Sequence, residues 1–347
     1  MVQRYLGFGI LRSSRIRPLP LAHLGAILAS PHRRSDLFAD ADLPLLVVDV
    51  DASTVDAATG RSLRGLPVVT VAVASEGAAV PGPGLEDFDL LLTDAARPEA
   101  TVELVARQVA ANPIASVALV QLLRLSEHLG VVDGLAAESF TYSTLQAGPE
   151  FARWIAAHDP AKSKAVNPEP LLVERDGATL GLTFCRPEIR NAYGFEVRDA
   201  LVEALHLAAA DPSIETVLLR GEGPSFCSGG DLREFGTAVD PATAHRIRTT
   251  RSAAFWLDRV RDRLRAEIHG DCVGSGIELP AFAGRVVAAA DLRVHLPEVS
   301  MGLVPGAGGT VSLPRRIGRQ RTGYLALTGA PIDAATALAW GLVDEVV

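Results

Sequence analysis

Glu278, in the run GSGIEL, and Glu298, in LPEV, place carboxyl groups in apolar company. Such surroundings disfavour the charged form, raise the pKa and suit a carboxyl to giving and taking protons. Most glutamates sit solvated at the surface, so the apolar flanks carry this inference. The segment SFCSGGDLREF (225–235) holds the pair Gly229-Gly230, where a missing Cβ lets a ligand approach the backbone closely. Alone, such a pair marks an ordinary tight turn. In HGDCVGSGIEL (269–279) a Gly-rich turn leads into a helix opened by Ser275, where the helix dipole adds to the pull of an N–H on negative charge.

Other reactive residue types read as structural. Cys227 lies beside the Gly pair, yet no His or Asp stands at a spacing that would activate it, and a small core thiol is the better reading. Cys185, Cys227 and Cys272 are odd in number and lack metal-ligand spacing, so neither disulfides nor a zinc site is expected and a reducing cytoplasm fits. The arginines between Arg246 and Arg265 are spread round a helix instead of forming one stripe, which predicts a solvated face.

The elements that must position these groups are legible in outline. The runs 43–50 (LPLLVVDV), 66–74 (LPVVTVAVA) and 88–93 (FDLLLT) are Val/Leu-rich and bounded by Gly, Pro and Asp, as buried strands of a small parallel sheet are. SEGAAVPGPG, between the last two, is a loop. From Thr101 the period becomes helical, with Val102, Val105 and Val109 on one face. Asn112-Pro113 then caps a second helix, expected to end with Gly130 in the left-handed conformation. Two more helical stretches complete an all-helical block over 101–158. The polar, Pro-containing DPAKSKAVNPEP (159–170) is the best linker, and beyond it strands and helices alternate, the signature of α/β architecture. The expected domains are therefore 1–165 and 166–347.

Composition narrows the function. The chain has 347 residues, 48% hydrophobic and 21% charged, with a net charge of −8 and a pI near 5.5. That profile excludes disorder and argues against a nucleic-acid partner, which needs a basic surface. The apolar stretch near the N-terminus is too short for a secretory signal, and no apolar run approaches the ~20 residues that span a bilayer.

Three segments of the second half, in order, resemble the crotonase (enoyl-CoA hydratase/isomerase) family: RPEIRNAYG (186–194), GEGPSFCSGGDLREF (221–235), and HGDCVGSGIEL through LPEVSMGLVPGAGGT (269–310). ALAWGLVDEVV at 337–347 also matches. The resemblance covers about 171–347 and implies a spiral of strand–strand–helix units and a coenzyme A thioester as substrate, with neither metal nor redox cofactor. It implies an oxyanion hole at the N–H groups of Gly230 and Ser275, catalysis by Glu278 and Glu298, and contacts to coenzyme A from Arg190, Ala192, Ser228, Gly230, Asp231 and Leu232. A homotrimer or hexamer is implied as well. Two positions depart from the family: Ser275 stands where Gly is usual, and Pro280 falls early in the same helix, where proline is tolerated only in the first turn.

The family's core continues past Gly-Leu-Val-Asp into a helical segment, and GLAAESFTYSTLQAGPEFARWIAAH (134–158) resembles that segment although it precedes the core. Residues 1–165 therefore read as a permuted or degenerate crotonase-like part, the strands favouring the second, without catalytic residues of its own. Hydration is the expected reaction. Isomerisation, another thioester reaction, or a silent CoA-binding partner remain alternatives, because pocket shape sets the reaction on a shared fold.

Overall fold

The computed structural model describes residues 16, 18–30, 44–50, 55–74, 84–92, 98–158 and 168–347. The N-terminal apolar stretch, residues 75–83 of the expected loop and residues 159–167 of the expected linker lie outside the described residues. The chain divides into two compact units, Met1–Arg124 and Leu125–Val347. This moves the expected boundary upstream of the Pro-containing segment. Composition marks where the chain is least able to form elements, whereas compactness is decided by which apolar faces meet.

In the first unit, β1 (Leu19–Pro20), β2 (Leu45–Asp49), β3 (Val69–Val73) and β4 (Leu90–Leu92) form a parallel sheet in that order. All five residues of β3 are buried, which explains its unbroken apolar run: both faces of a parallel sheet are covered. Helix α1 (Leu21–Leu28) and α2 (Ala57–Arg64) connect the strands, and Asp56 caps α2 by accepting from Ala58 N at 2.9 Å and Thr59 N at 3.0 Å. Leu24, Leu46, Val48, Leu63, Leu66 and Phe88 share one core. Helices α3 (Pro98–Ala111) and α4 (Pro113–Ser126) follow. Gly130 has φ −64° and caps the start of the next helix, so it does not close α4 in the left-handed region as expected.

The second unit begins with α5 (Val131–Gln146) and α6 (Pro149–Ala157). Its larger sheet contains β5 (Leu171–Asp176), β6 (Thr179–Phe184), β7 (Thr216–Gly221), β8 (Leu264–Ile268), β10 (Arg285–Ala288) and β13 (Glu345–Val346), in the order β13-β10-β8-β7-β6-β5. A smaller sheet has β9 (Asp271–Val273), β11 (Arg293–His295) and β12 (Ile332–Asp333), ordered β12-β11-β9. The chain lays a strand in the large sheet, then one in the small sheet, then a helix: β8 and β9 lead to α10 (Ser275–Glu278), and β10 and β11 lead through the turn Glu298–Met301 towards α11 (Gly309–Ile317). This is the spiral the resemblance implies. Along β6 exposure alternates residue by residue, the period of a strand with one face covered. Beside the sheet lie α7 (Phe195–Ala210), α8 (Pro241–Thr250) and α9 (Ala253–Arg259). Helix α5 packs on α8, α9 and α11.

Pro280 is accommodated because α10 is a single turn. The chain passes at Leu279 into a short 3-10 helix with Pro280 in its first turn, where no N–H is required.

Candidate active site

Asn191, in the RNA triplet, sets up the first wall of the site. Arg190 and Asn191 both have positive φ, 51° and 54°, a conformation that Asn tolerates better than most residues. The buried Asn191 amide donates to the carbonyls of Glu222 (2.9 Å), Ser225 (3.0 Å) and Phe226 (3.1 Å), while its oxygen accepts from Arg186 N at 2.8 Å. These bonds fix the loop that leads to Gly230. There Tyr193 N donates to Gly229 O (2.8 Å) and Asp231 N to Tyr193 O (3.1 Å). Because N–H groups alternate in direction along an extended strand, the Gly230 N–H is turned away from this ladder. Neither Gly230 N nor Ser275 N donates to another group among the described residues.

Gly230, Ser275, Glu278 and Glu298 line one cavity of about 350 Å³. Ser275 sits at the first position of α10, whose four residues make the helix dipole smaller than a full helix would supply. Gly274, with φ 50°, lies between the two carboxyls: a Cβ there would collide with Glu298 Oε1 and stand 3.7 Å from Glu278 Oε1. Burial, then the neighbouring Glu298 and Glu138, push Glu278 well above the usual carboxylate range, against the pull of its backbone hydrogen bonds. Burial also raises Glu298 to about 8, and its buried Oε2 has no hydrogen-bond partner among the described residues.

A third carboxyl, which sequence reasoning missed, comes from α5. Glu138 is 3% exposed, and burial lifts it to about 7. It and Glu278 grip the Gly-rich loop alternately. Ala307 N (2.7 Å) and Gly309 N (2.9 Å) donate to Glu278, whereas Gly308 N (2.7 Å), Thr310 N (2.9 Å) and Thr310 Oγ1 (2.7 Å) donate to Glu138. Glycine is needed for this approach: a Cβ on Gly309 would stand 2.7 Å from Glu278 Oε2, and one on Gly306 would collide with the Tyr142 ring. The only local signal for Glu138 is its place in the segment resembling the family's terminal helices.

The remaining expected residues separate. Gly230 and Asp231 line the cavity, but Arg190, Ala192, Ser228 and Leu232 do not. Arg190 is largely exposed and pairs with Asp271 at 3.4 Å. Asp231 is bound by Arg233, whose Nε lies 2.9 Å from Oδ1. Cys227 is fully buried and burial pushes its thiol up to about 11, consistent with a core thiol. The arginines expected on a solvated face include one exception: Arg248 lines the cavity, half-buried, its guanidinium 4.6 Å above the Tyr142 ring. Its periodicity gave no warning, because the surface that covers it comes from α5, over a hundred positions away.

The spiral and its Gly-rich turns define the chain as a crotonase-type protein. Residues 174–347 match the Enoyl-CoA hydratase/isomerase family, and the chain belongs to it. It is 36% identical over 176 residues to the 2,3-dehydroadipyl-CoA hydratase of Escherichia coli, a match covering 51% of this chain and 68% of that one. It is 32% identical over 174 residues to an enoyl-CoA isomerase/hydratase of Mycosarcoma maydis, covering 48% and 64%. The crystal structure of an enoyl-CoA hydratase from Thermoplasma volcanium, 32% identical, aligns over 52% of this chain and 72% of its own with a TM-score of 0.47. Among the described residues no single helix is long and apolar enough to cross a membrane.

Proposed function

We propose that the chain is an enoyl-CoA hydratase, adding water across the α,β double bond of an acyl-CoA thioester. One observation carries this reading: two raised, adjacent carboxyls and two N–H groups without partners among the described residues line the same cavity. Two carboxyls so close hold one proton between them, because ionising both in a buried site is opposed by repulsion. The ionised member draws a proton from water as its oxygen bonds to Cβ; the protonated member delivers a proton to Cα. Negative charge that builds on the thioester oxygen meets the N–H groups of Gly230 and Ser275, each such donor being worth about 2.7–4 kcal/mol in comparable sites. Glu298 Oε2 is the oxygen left free to hold the water, and Glu278 retains Oε1. The reaction is redox-neutral and calls for neither metal nor redox cofactor.

The proposal extends to its setting. Ala192, Ser228 and Leu232, with Arg190 beside them, form the outer contacts to coenzyme A, and the subunits assemble as trimers or hexamers in the cytoplasm. Residues 1–124 are a degenerate first copy without catalysis, a reading supported by their short parallel sheet. A panel of 2-enoyl-CoA thioesters, followed by loss of the conjugated enone absorbance, tests the reaction. Glu278→Gln and Glu298→Gln should each lower kcat at least ~100-fold, the scale of losing a positioned acid or base, while acyl-CoA binding persists. Near-normal rates in both variants would refute hydration; an effect confined to one favours isomerisation.

A further inference from the structure

Arg248 is an uncompensated cation in the cavity that holds Glu278 and Glu298. Its Nε donates to Ser139 Oγ at 3.2 Å, Nη1 to Gln146 Oε1 at 3.1 Å and Nη2 to Ser143 Oγ. These partners are neutral and take three of the five guanidinium N–H groups. Two remain, and among the described residues no carboxylate forms an ion pair with it. Glu138, whose charge acts on it, spends both oxygens on Gly308 and Thr310. Other arginines of this unit are provided for: the buried Arg186 meets Glu196 at 2.5 Å and the buried Arg319 meets Glu127 at 3.1 Å, and the half-buried Arg263 donates to main-chain carbonyls of Ala208 and Ile214. Burial also works against the Arg248 charge.

A wholly aliphatic acyl chain closing this cavity would strip water from a cation and return nothing, a costly outcome. A carboxylate would match the planar fork in two places. The Tyr142 ring and the α5 hydroxyls already hold that fork in position, so little ordering is required on binding. We infer that Arg248 binds a carboxylate at the far end of the acyl chain, so that the substrates are CoA thioesters of dicarboxylic acids; the inference rests on the proposed acyl-CoA chemistry.

The test is calorimetric titration of the full chain with saturated thioesters, which cannot be hydrated. Succinyl-, adipoyl- and suberoyl-CoA are compared with butyryl-, hexanoyl- and octanoyl-CoA. For at least one length the dicarboxylic thioester should bind about 10–100-fold more tightly, the range of a hydrogen-bonded charge. Arg248→Met should bring that ratio close to one, and Arg248→Lys, which keeps the charge without the fork, should leave an intermediate ratio, also providing a reading if the Met variant misfolds. Equal affinity within every pair would overturn the site. Equal weakening of both members of a pair in Arg248→Met would also overturn it, since Arg248 would then serve a phosphate of coenzyme A. Preference for a dicarboxylic thioester without hydration of any enoyl-CoA would leave the site standing and remove the proposed reaction. Hydration of monocarboxylic enoyl-CoA with no preference would do the reverse.

Discussion

Residues 1–124 and 125–347 each bury charge, and the carboxyls at the cavity of the second are treated oppositely to the buried pair of the first. In the first, Asp89, 2% exposed, accepts from Thr70 N and Oγ1 at 2.9 Å and pairs with Arg124. Arg124 spends its other donors on the carbonyls of Arg64, Leu66 and Val68. Each of these two charges meets its counter-charge, and the pair locks strands to a helix. In the second, Glu138, Glu278 and Glu298 are held by main-chain N–H groups or left open, and no cation pairs with any of them among the described residues. A closed pair stabilises and does nothing else, whereas carboxyls denied a counter-ion are kept near the pKa at which protons can move.

The contrast can be broken most sharply at Arg124. Arg124→Met leaves Asp89 buried and alone, so urea unfolding should report a loss of about 3–5 kcal/mol. A loss below ~1 kcal/mol, the value of a surface pair, would mean that the first unit is not built on this pair.

A smaller effect is expected at Glu138. Glu138→Gln replaces an acceptor oxygen with an amide donor facing Gly308 N or Thr310 N, costing about 1–3 kcal/mol for an unsatisfied buried group. The loop whose N–H groups also hold Glu278 should loosen, so kcat should fall about tenfold with KM nearly unchanged. An unaltered kcat with lowered stability would reduce Glu138 to a purely structural clamp.

The smallest effect concerns pH. Glu298 is raised to about 8 from an ordinary value of 4.5, so the folded chain binds the extra proton. Its favourable contribution is complete below about 4.5 and is lost as pH rises through about 8. Glu298→Gln should therefore be more stable to urea unfolding than the parent at pH 8, by at least ~1 kcal/mol, and the gap should narrow by pH 5. A gap of the same size at both pH values would show that the carboxyl is not held neutral.

Much of this site was legible because its chemistry sits in short motifs. Glu278 and Glu298 were readable from their apolar flanks and from the Gly-rich segments around them. Glu138, Tyr142 and Arg248 were not, since α5 stands far upstream and no spacing links it to the Gly-rich loop. Arg248 shows why composition misleads: its helix has the charge pattern of a solvated face, and only the covering of that face by α5 turns one arginine inward.

The sequence by itself marked the main strands through local periodicity and turn residues, and through the order of its motifs the resemblance that implies the spiral and singles out the two glutamates, because all of these are properties of neighbours along the chain. The resemblance of 134–158 to the family's terminal helices already pointed to α5 and α6 joining the core, as the unit Leu125–Val347 has them, whereas tertiary structure alone decided that Glu138 joins the carboxyl pair and that Arg248 faces the cavity. Those outcomes depend on which apolar faces exclude water together, and that choice is made between segments whose separation in sequence carries no record of it.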